Sequence, residues 1–493
     1  MPNRRSFKSD ESFLEKLAMG AVGARAVFEN LKCQGHRPIE LERGSMSYKI
    51  WKKIKIKRLR VPDILCLNCG KRFESRAKTK LEISMSHSLS DPERGWDNGL
   101  ANEDLVAFLS CSKSGERPID WQASEPIQFI TVGALREAYK ENRAVLKKPK
   151  GEQEGFEVRV TWPSVIASSD GVVSDVSPSR LQFLRHTDSR TISISLRRDT
   201  VDLQPLVKTG DHIRVGQIIA SVVPVSTAIP CVTTSAETTS AESKFEPMLT
   251  SLSVTDRYTA VKALTHIQSS NVLQALRARI KDDCEHIYVR LEAAAGLARA
   301  GQNDGMQFIC RTLLDGYLEH RLEAVIILGE ICAPESVKTL TSVLLDKNQH
   351  AEIRAGAAWA LGELKQSASI DALIQVFLEL TEPIRIEAAR ALHKIVAATS
   401  ADIKNVFTNG QDDQRAGIAW ALSRSGRVKV QDLLPLMVDD DARRWVAYIL
   451  GMQNKDALVG QIEELSKHDP EVYFAVTVLW KILASWVYNL GEF

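Results

Sequence analysis

From residue 251 onward, apolar positions recur along this chain with helical spacing. An arginine is followed four residues on by a small or β-branched apolar residue, and seven on by leucine. The triplet appears as Arg257/Val261/Leu264, Arg290/Ala294/Leu297, Arg321/Val325/Leu328 and Arg354/Ala358/Leu361. It continues as Arg385/Ala389/Leu392, Arg415/Ala419/Leu422 and Arg443/Ala447/Leu450. Positions i, i+4 and i+7 share one face of an α-helix. Successive arginines are 33, 31, 33, 31, 30 and 28 residues apart, a period that fits two short helices and two turns. Alanine in the middle of the triplet lets neighbouring helices approach closely. Further helices are predicted between the triplets, at 336–345 and 370–380. The stretch 471–493 carries Trp480, Trp486 and Tyr488. It is expected to cap the array, with a partner-docking role as the alternative.

Upstream the period changes. Residues 157–161 and 191–196 alternate in the manner of strands, and Gly210 and Gly216 punctuate β-rich pieces between 206 and 220. The Ser/Thr/Ala-rich stretch 226–244 reads as a linker. At the other end, Asp10 is a favoured N-cap for a helix predicted over residues 11–32. Residues 48–60 alternate apolar residues with lysines, as in a strand with one charged face, and a loop and buried strand are expected over residues 91–108.

The triplets resemble HEAT repeats of the short, bilin-lyase-like kind, and residues 352–364 are a particularly good match. That resemblance implies an α-helical solenoid over 251–493 that presents an extended surface to a protein partner. Residues 206–220 look like part of a barrel-sandwich hybrid domain of the lipoyl/biotinyl type. No lysine stands at the expected hairpin tip, Ser168 to Gly171, so the resemblance supports a fold and not swinging-arm chemistry.

Two residue pairs in the first third carry candidate metal chemistry. Cys33 and His36 form one, Cys66 and Cys69 the other, each with two residues between its members. Such spacing lets two side chains converge on a tetrahedral ion, and a glycine after the second turn, Gly70, suits the tight backbone. Cys69-Gly70-Lys71 resembles the knuckle of zinc ribbons. A structural zinc on Cys33, His36, Cys66 and Cys69 is expected, with Cys111 as a spare ligand in place of His36.

The knuckle sits inside a second pattern. If residues 66–69 form the turn, the flanking strands pair and Asp63 lies opposite Glu74, within a residue of register. Glu74, Arg76 and Lys78 then share one strand face. Facing carboxylates beside a cation suit metal-dependent phosphodiester hydrolysis. With Pro62-Asp63 and the helix before it, the arrangement resembles the PD-(D/E)XK nuclease superfamily over residues 10–110. The family usually has lysine two residues after the acid. Arg76 stands there in this chain, and Lys78 is a substitute two residues further on. The resemblance implies catalytic roles for Asp63, Glu74, Arg76 and Lys78, a Mg or Mn ion, and an added ligand from Glu15 or Glu29. His87 is a weak further candidate. Acids and bases flanking a knuckle also occur on zinc ribbons that only bind, so a non-catalytic nucleic-acid-binding head stays open.

Charge changes the picture once. The chain of 493 residues has a net charge of +2, divided into +10 over residues 1–150 and −8 over the rest. Residues 43–62 hold eight basic residues and no acid. Lys49, Lys52, Lys53, Lys55, Lys57, Arg58 and Arg60 are therefore candidate phosphate contacts, with salt-sensitive binding expected. Tyr48 or Trp51 could stack on a base, core packing being the better reading of Trp51. No apolar run approaches a membrane span, the N-terminus does not read as a signal peptide, and eight cysteines in this length do not suggest a disulfide framework. A cytoplasmic location is expected. Phosphate-cradling glycine loops, dinucleotide fingerprints and nucleophile triads are not found.

The expectation is a multidomain chain. A zinc-containing α+β head spans 1–150, a small β barrel-sandwich 151–225, a linker 226–250 and an all-α HEAT solenoid 251–493. The function expected is a metal-dependent nuclease, DNA ahead of RNA, with a protein-binding scaffold, in bacterial defence or DNA processing. The alternative is an adaptor that binds nucleic acid and recruits a partner enzyme through the repeats.

Overall fold

The predicted N-terminal helix is α1 (Glu11–Cys33). Its buried face is mostly small, with Ala18, Ala21, Ala24, Val27 and Leu31, so the helix lies close against a sheet. The structure is a computed structural model that describes residues 11–46, 59–115, 119–148, 157–198, 201–232, 241–267, 269–398, 409–425 and 439–452, with a few single positions beyond. Most of the predicted basic strip (residues 47–58) and the C-terminal aromatic segment lie outside the described residues.

The strands under and beyond α1 are β1 (Pro38–Glu40), β2 (Ile64–Cys66), β3 (Arg72–Lys78), β4 (Ser84–Ser88), β5 (Leu105–Lys113) and β6 (Trp121–Thr131). Five of them form one mixed sheet in the order β1-β2-β3-β5-β6. β3 and β5 run parallel, and the other neighbours antiparallel. One face packs on α1 through Phe73, Leu105, Ala107, Leu109 and Phe129, all buried. Thr131 caps the next helix, α2 (Val132–Lys140), by accepting from Ala134 N.

The β-rich middle continues as β7 (Val145–Lys147), β8 (Glu157–Thr161), β9 (Ser164–Ile166), β10 (Gly171–Val176), β11 (Arg180–Arg185) and β12 (Thr191–Ser195). It ends with β13 (Arg197–Arg198), β14 (Val201–Asp202), β15 (Gln204–Pro205), β16 (His212–Ile213) and β17 (Ile218–Ser221). β12-β11-β10-β16 form one sheet and β15-β17-β9 another. β4, from the head, pairs with β8. The head and the middle also share one core. Val106, Phe108 and Ile130 from the first sheet pack in the same cluster as Trp162, Val173, Phe183 and Ile219. Trp162 is fully buried and donates Nε1–H to Leu135 O at 3.0 Å, so its large apolar face costs no unpaired donor. The expected boundary at residue 150 thus runs through a continuous core.

The stretch expected as a linker is partly built in. Ser226 exchanges backbone hydrogen bonds with Phe129 at 2.7 and 3.0 Å. Helices α3 (Ala241–Phe245) and α4 (Val254–Leu264) follow. They belong to the same compact unit as the β-rich residues, and a second unit begins at Leu273, inside α5 (Ser270–Lys281). The first arginine triplet therefore packs with the head, where Asp256 and Thr259 of α4 accept from the buried Arg72 at 3.0 and 3.4 Å.

The second unit is helical among the described residues. It comprises α6 (Ile287–Arg299), α7 (Asn303–Thr312), α8 (Leu318–Ile331), α9 (Ser336–Leu345), α10 (Ala351–Leu364), α11 (Ile370–Gln375), α12 (Glu382–Ala398), α13 (Asp412–Ser425) and α14 (Asp440–Met452). The predicted apolar positions face inward: Ala294, Leu297, Val325, Leu328, Ala358, Leu361, Leu392 and Ala419 are all fully buried. α10 packs on α8 and α12, one repeat away on either side. At Gly362 a Cβ would come within 2.6 Å of Ala391 Cα, so only glycine permits that approach.

Candidate functional site

Three separate stretches bring donor atoms to one point. His36 follows α1, Cys66 ends β2, Cys69 sits in the turn to β3, and Cys231 lies just after the segment bonded to β6. Their donor atoms all lie within 4.8 Å of one another. Cys66 Sγ and Cys231 Sγ are 3.9 Å apart, and Cys69 Sγ is 3.5 Å from His36 Nδ1. A tetrahedral zinc with bonds of about 2.3 Å to sulfur and about 2.0 Å to nitrogen has sulfur–sulfur and sulfur–nitrogen edges of about 3.8 and 3.5 Å. The turn is tight as expected: Gly70 N donates to Cys66 O and Cys66 N to Lys71 O, both at 2.9 Å, and Gly70 has φ +77°. His36 is buried, and its Nε2 lies 2.6 Å from Ile229 O. A proton on Nε2 leaves Nδ1 bare and aimed at the sulfurs. The hydrogen bond from Cys69 pulls the Cys66 thiol down to about 4, and the same contact together with burial pushes Cys69 up.

Sequence spacing named three of these four residues. Cys33 is exposed at the end of α1 and stands outside the group. A helix ending at Cys33 and a turn leading to His36 send the two side chains different ways. Cys111 is buried in the core below α1, where burial pushes its thiol up to about 11. Cys231 was missed. Its signal was present, a lone cysteine after Pro230 in a polar stretch, but only the fold brings it to residues some 165 positions earlier.

The hairpin acids face each other in register. Ile64 pairs with Phe73 and Leu65 with Arg72, so the register places Asp63 across from Glu74. Asp63 Oδ2 accepts from Ser75 N at 2.7 Å, ending the ladder where β2 stops. Arg76 holds Glu74 at 2.6 Å. Both acids are 8% exposed. Burial, then the charge of Glu42, raises Asp63 to about 7. Burial raises Glu74 to about 8 against the pull of Arg76, with Asp63 adding to the rise. Glu42, which sequence reasoning passed over, stands close enough to Asp63 for its charge to raise that carboxyl. Arg60, expected as a phosphate contact, also favours the Glu74 anion and donates to Gly95 O at 2.8 Å.

Lys78 stands apart from this group. Its Nζ donates to Ser84 O and Ser84 Oγ, both at 2.7 Å, and burial lowers it to about 8. Arg76 is therefore the cation on the carboxylates. The helix acids stand elsewhere too: Glu15 pairs with Lys113 and Glu29 with Lys32. His87 accepts from Trp96 N at 3.3 Å and packs edge-on to Tyr139, a structural position. Beyond the end of β3 lies a cavity of about 790 Å³ whose walls include Lys16, Lys78, Lys80, Lys147, Arg159 and Arg198.

The repeated arginines of the second unit are structural. Arg290 and Arg354 each bond a carbonyl ten residues back, at Ile280 and Leu344, where the preceding helix ends. Arg354 also reaches Glu379 at 2.6 Å and Arg385 reaches Asp413 at 2.6 Å, one repeat on. Arg354 and Arg385 thus pair with acids further along the array.

Residues 312–393 match the family model of HEAT repeats. The chain is similar to the complex of CpcE and CpcF of phycocyanin lyase from Nostoc sp., at 18% identity and TM-score 0.26, over 52% of this chain and 99% of that one. It is similar to the archaeal HEAT-like repeats protein of Thermococcus onnurineus, at 13% identity and TM-score 0.25, over 43% and 97%. It is also similar to human deoxyhypusine hydroxylase in complex with glycerol, at 15% identity and TM-score 0.21, over 49% and 95%. No curated protein matches. The chain thus combines a β-sheet region with C-terminal HEAT repeats, which suggest a protein-interaction scaffold. Among the described residues no helix is long and apolar enough to cross a membrane.

Proposed function

We propose that the head is a divalent-metal-dependent phosphodiesterase acting on nucleic acid, DNA ahead of RNA, and that the HEAT repeats hold it to a protein partner. One observation carries the reading: Asp63 and Glu74 face each other across the β2–β3 hairpin, buried, with Glu42 and Arg76 beside them. Adjacent carboxylates withdrawn from water are costly, and such raised groups cluster at working sites. They fit a cation. The charge of Glu42 helps raise the Asp63 carboxyl, and a divalent cation would offset that repulsion. Bound there, Mg or Mn would lower the pKa of a water and stabilise charge on a phosphate. Asp63, Glu74 and Glu42 would hold the ion, and Arg76 would orient Glu74.

A second reading is favoured by the cations lining the cavity past β3 and by the engagement of Asp63 with Ser75 N and of Glu74 with Arg76. On it the head binds nucleic acid without cutting and recruits an enzyme through the repeats. Incubating the full chain with plasmid, single-stranded DNA and RNA in Mg²⁺ or Mn²⁺ separates the two. Cleavage by the wild type, falling at least about 100-fold in Asp63→Asn/Glu74→Gln, is the expected result. Binding that weakens steeply with salt, with no cleavage by the wild type, sinks the nuclease and leaves the adaptor.

A further inference from the structure

We infer that His36, Cys66, Cys69 and Cys231 bind one zinc ion, and that this ion clasps residues 226–232 onto the head. The inference is independent of the nuclease reading, since none of the four residues belongs to the carboxylate group.

The donor set is complete. Three thiols and one imidazole make the closed, four-ligand environment of a structural zinc, with no position left for water. The separations of 3.9 Å for sulfur to sulfur and 3.5 Å for sulfur to nitrogen are those of a tetrahedron's edges around such an ion. The outer shell is also in place. Histidine ligands usually donate their second ring nitrogen to a carbonyl, which fixes tautomer and ring angle. His36 meets that condition at Ile229 O. That acceptor lies two residues before Cys231, so the segment that brings the fourth ligand also orients the histidine.

The clasp follows from where the ligands come from. Three of them lie within 34 residues at the start of the chain, and the fourth arrives after the whole β-rich middle has been threaded. Among the described residues, 226–232 hold to the head through Ser226 with Phe129, Ile229 with Gln34 and His36, Cys231 N with Gln34 O at 3.4 Å, and the packing of Ile229 on the core under α1. Lys244, on α3, donates to Asn68 O beside the knuckle. A metal at Cys231 therefore fixes the path by which the chain leaves the β-rich region for α3 and α4. An exposed, locally attached segment has a low opening free energy, and a metal that binds only the closed form raises it.

The test is the zinc content of the full-length protein by inductively coupled plasma mass spectrometry, with chelator-driven proteolysis as a second readout. The wild type is expected to hold about one zinc per chain. Cys231→Ser should lose most of it, and Cys33→Ser should keep it. Cys231→His should restore binding. Should Cys231→Ser fail to fold, X-ray absorption at the zinc edge of Cys33→Ser decides: full zinc with three sulfurs and one nitrogen in that variant supports the assignment. Two sulfurs, or full zinc in a folded Cys231→Ser, overturn it. Stripping zinc from the wild type should speed cleavage between residues 226 and 245 at least about tenfold, and an unchanged rate overturns the clasp.

Discussion

In the HEAT unit, α10 is held by α8 and α12, its equivalents one repeat before and after, and Arg354 bonds residues ten before and 25 after it. In the head, His36 rests on a carbonyl 193 residues away, Cys66 meets a thiol 165 residues away, and β3 pairs in parallel with β5. The repeat unit is stabilised by nearest neighbours, so a local loss should stay local. The head closes long loops, and a single cross-link there replaces a large amount of chain entropy. Repetition makes an extended surface, whereas long-range convergence brings distant side chains to one point.

That contrast can be broken at either end. Replacing Leu361 by alanine removes a fully buried side chain from α10 and is expected to cost about 2–5 kcal/mol. The loss should appear as weaker hydrogen-exchange protection in α8, α10 and α12, with the zinc content of the head unchanged. A fall in zinc content on Leu361→Ala would show that the units are not stabilised separately.

A smaller effect is expected from pH, confined to the head. Asp63 keeps its proton in the folded protein up to about 7, whereas its ordinary value is 3.8, and Glu74 keeps its own to about 8 against 4.5. Between those limits the folded state binds more protons than the unfolded state. Their contribution is full below the ordinary values and is lost as pH rises through 7 to 8. Asp63→Asn/Glu74→Gln should therefore melt closest to the wild type near pH 4 and above it at pH 8, by an amount on the order of a few kcal/mol. Equal differences at both pH values would mean that the carboxylates are not protonated in the fold.

The same contrast explains what could be read from residues alone. The repeats were legible because packing there is set by a period: Arg354, Ala358 and Leu361 recur where the face demands, and each is buried. The hairpin was legible because Cys66 to Cys69 is a local turn, and local turns fix register, which placed Asp63 across from Glu74. Lys78 was misplaced because strand alternation gives a face but not a partner, and Ser84 is a partner supplied by the following strand. Cys33 was chosen over Cys231 because spacing rewards neighbours, while the competing cysteine is brought in by tertiary structure. The expected boundaries at 150 and 250 rested on composition and not on packing. Composition shifts mark where the chain changes texture, not where its core ends, and Val106, Trp162 and Phe183 share one core.

The most direct test of the clasp is hydrogen exchange of the full-length wild type, measured with zinc bound and after chelation. Protection should fall together around His36, over residues 66–71 and over residues 226–232, while α8, α10 and α12 exchange as before. Unchanged exchange in those three segments on chelation, or equal loosening of the repeats, would contradict it.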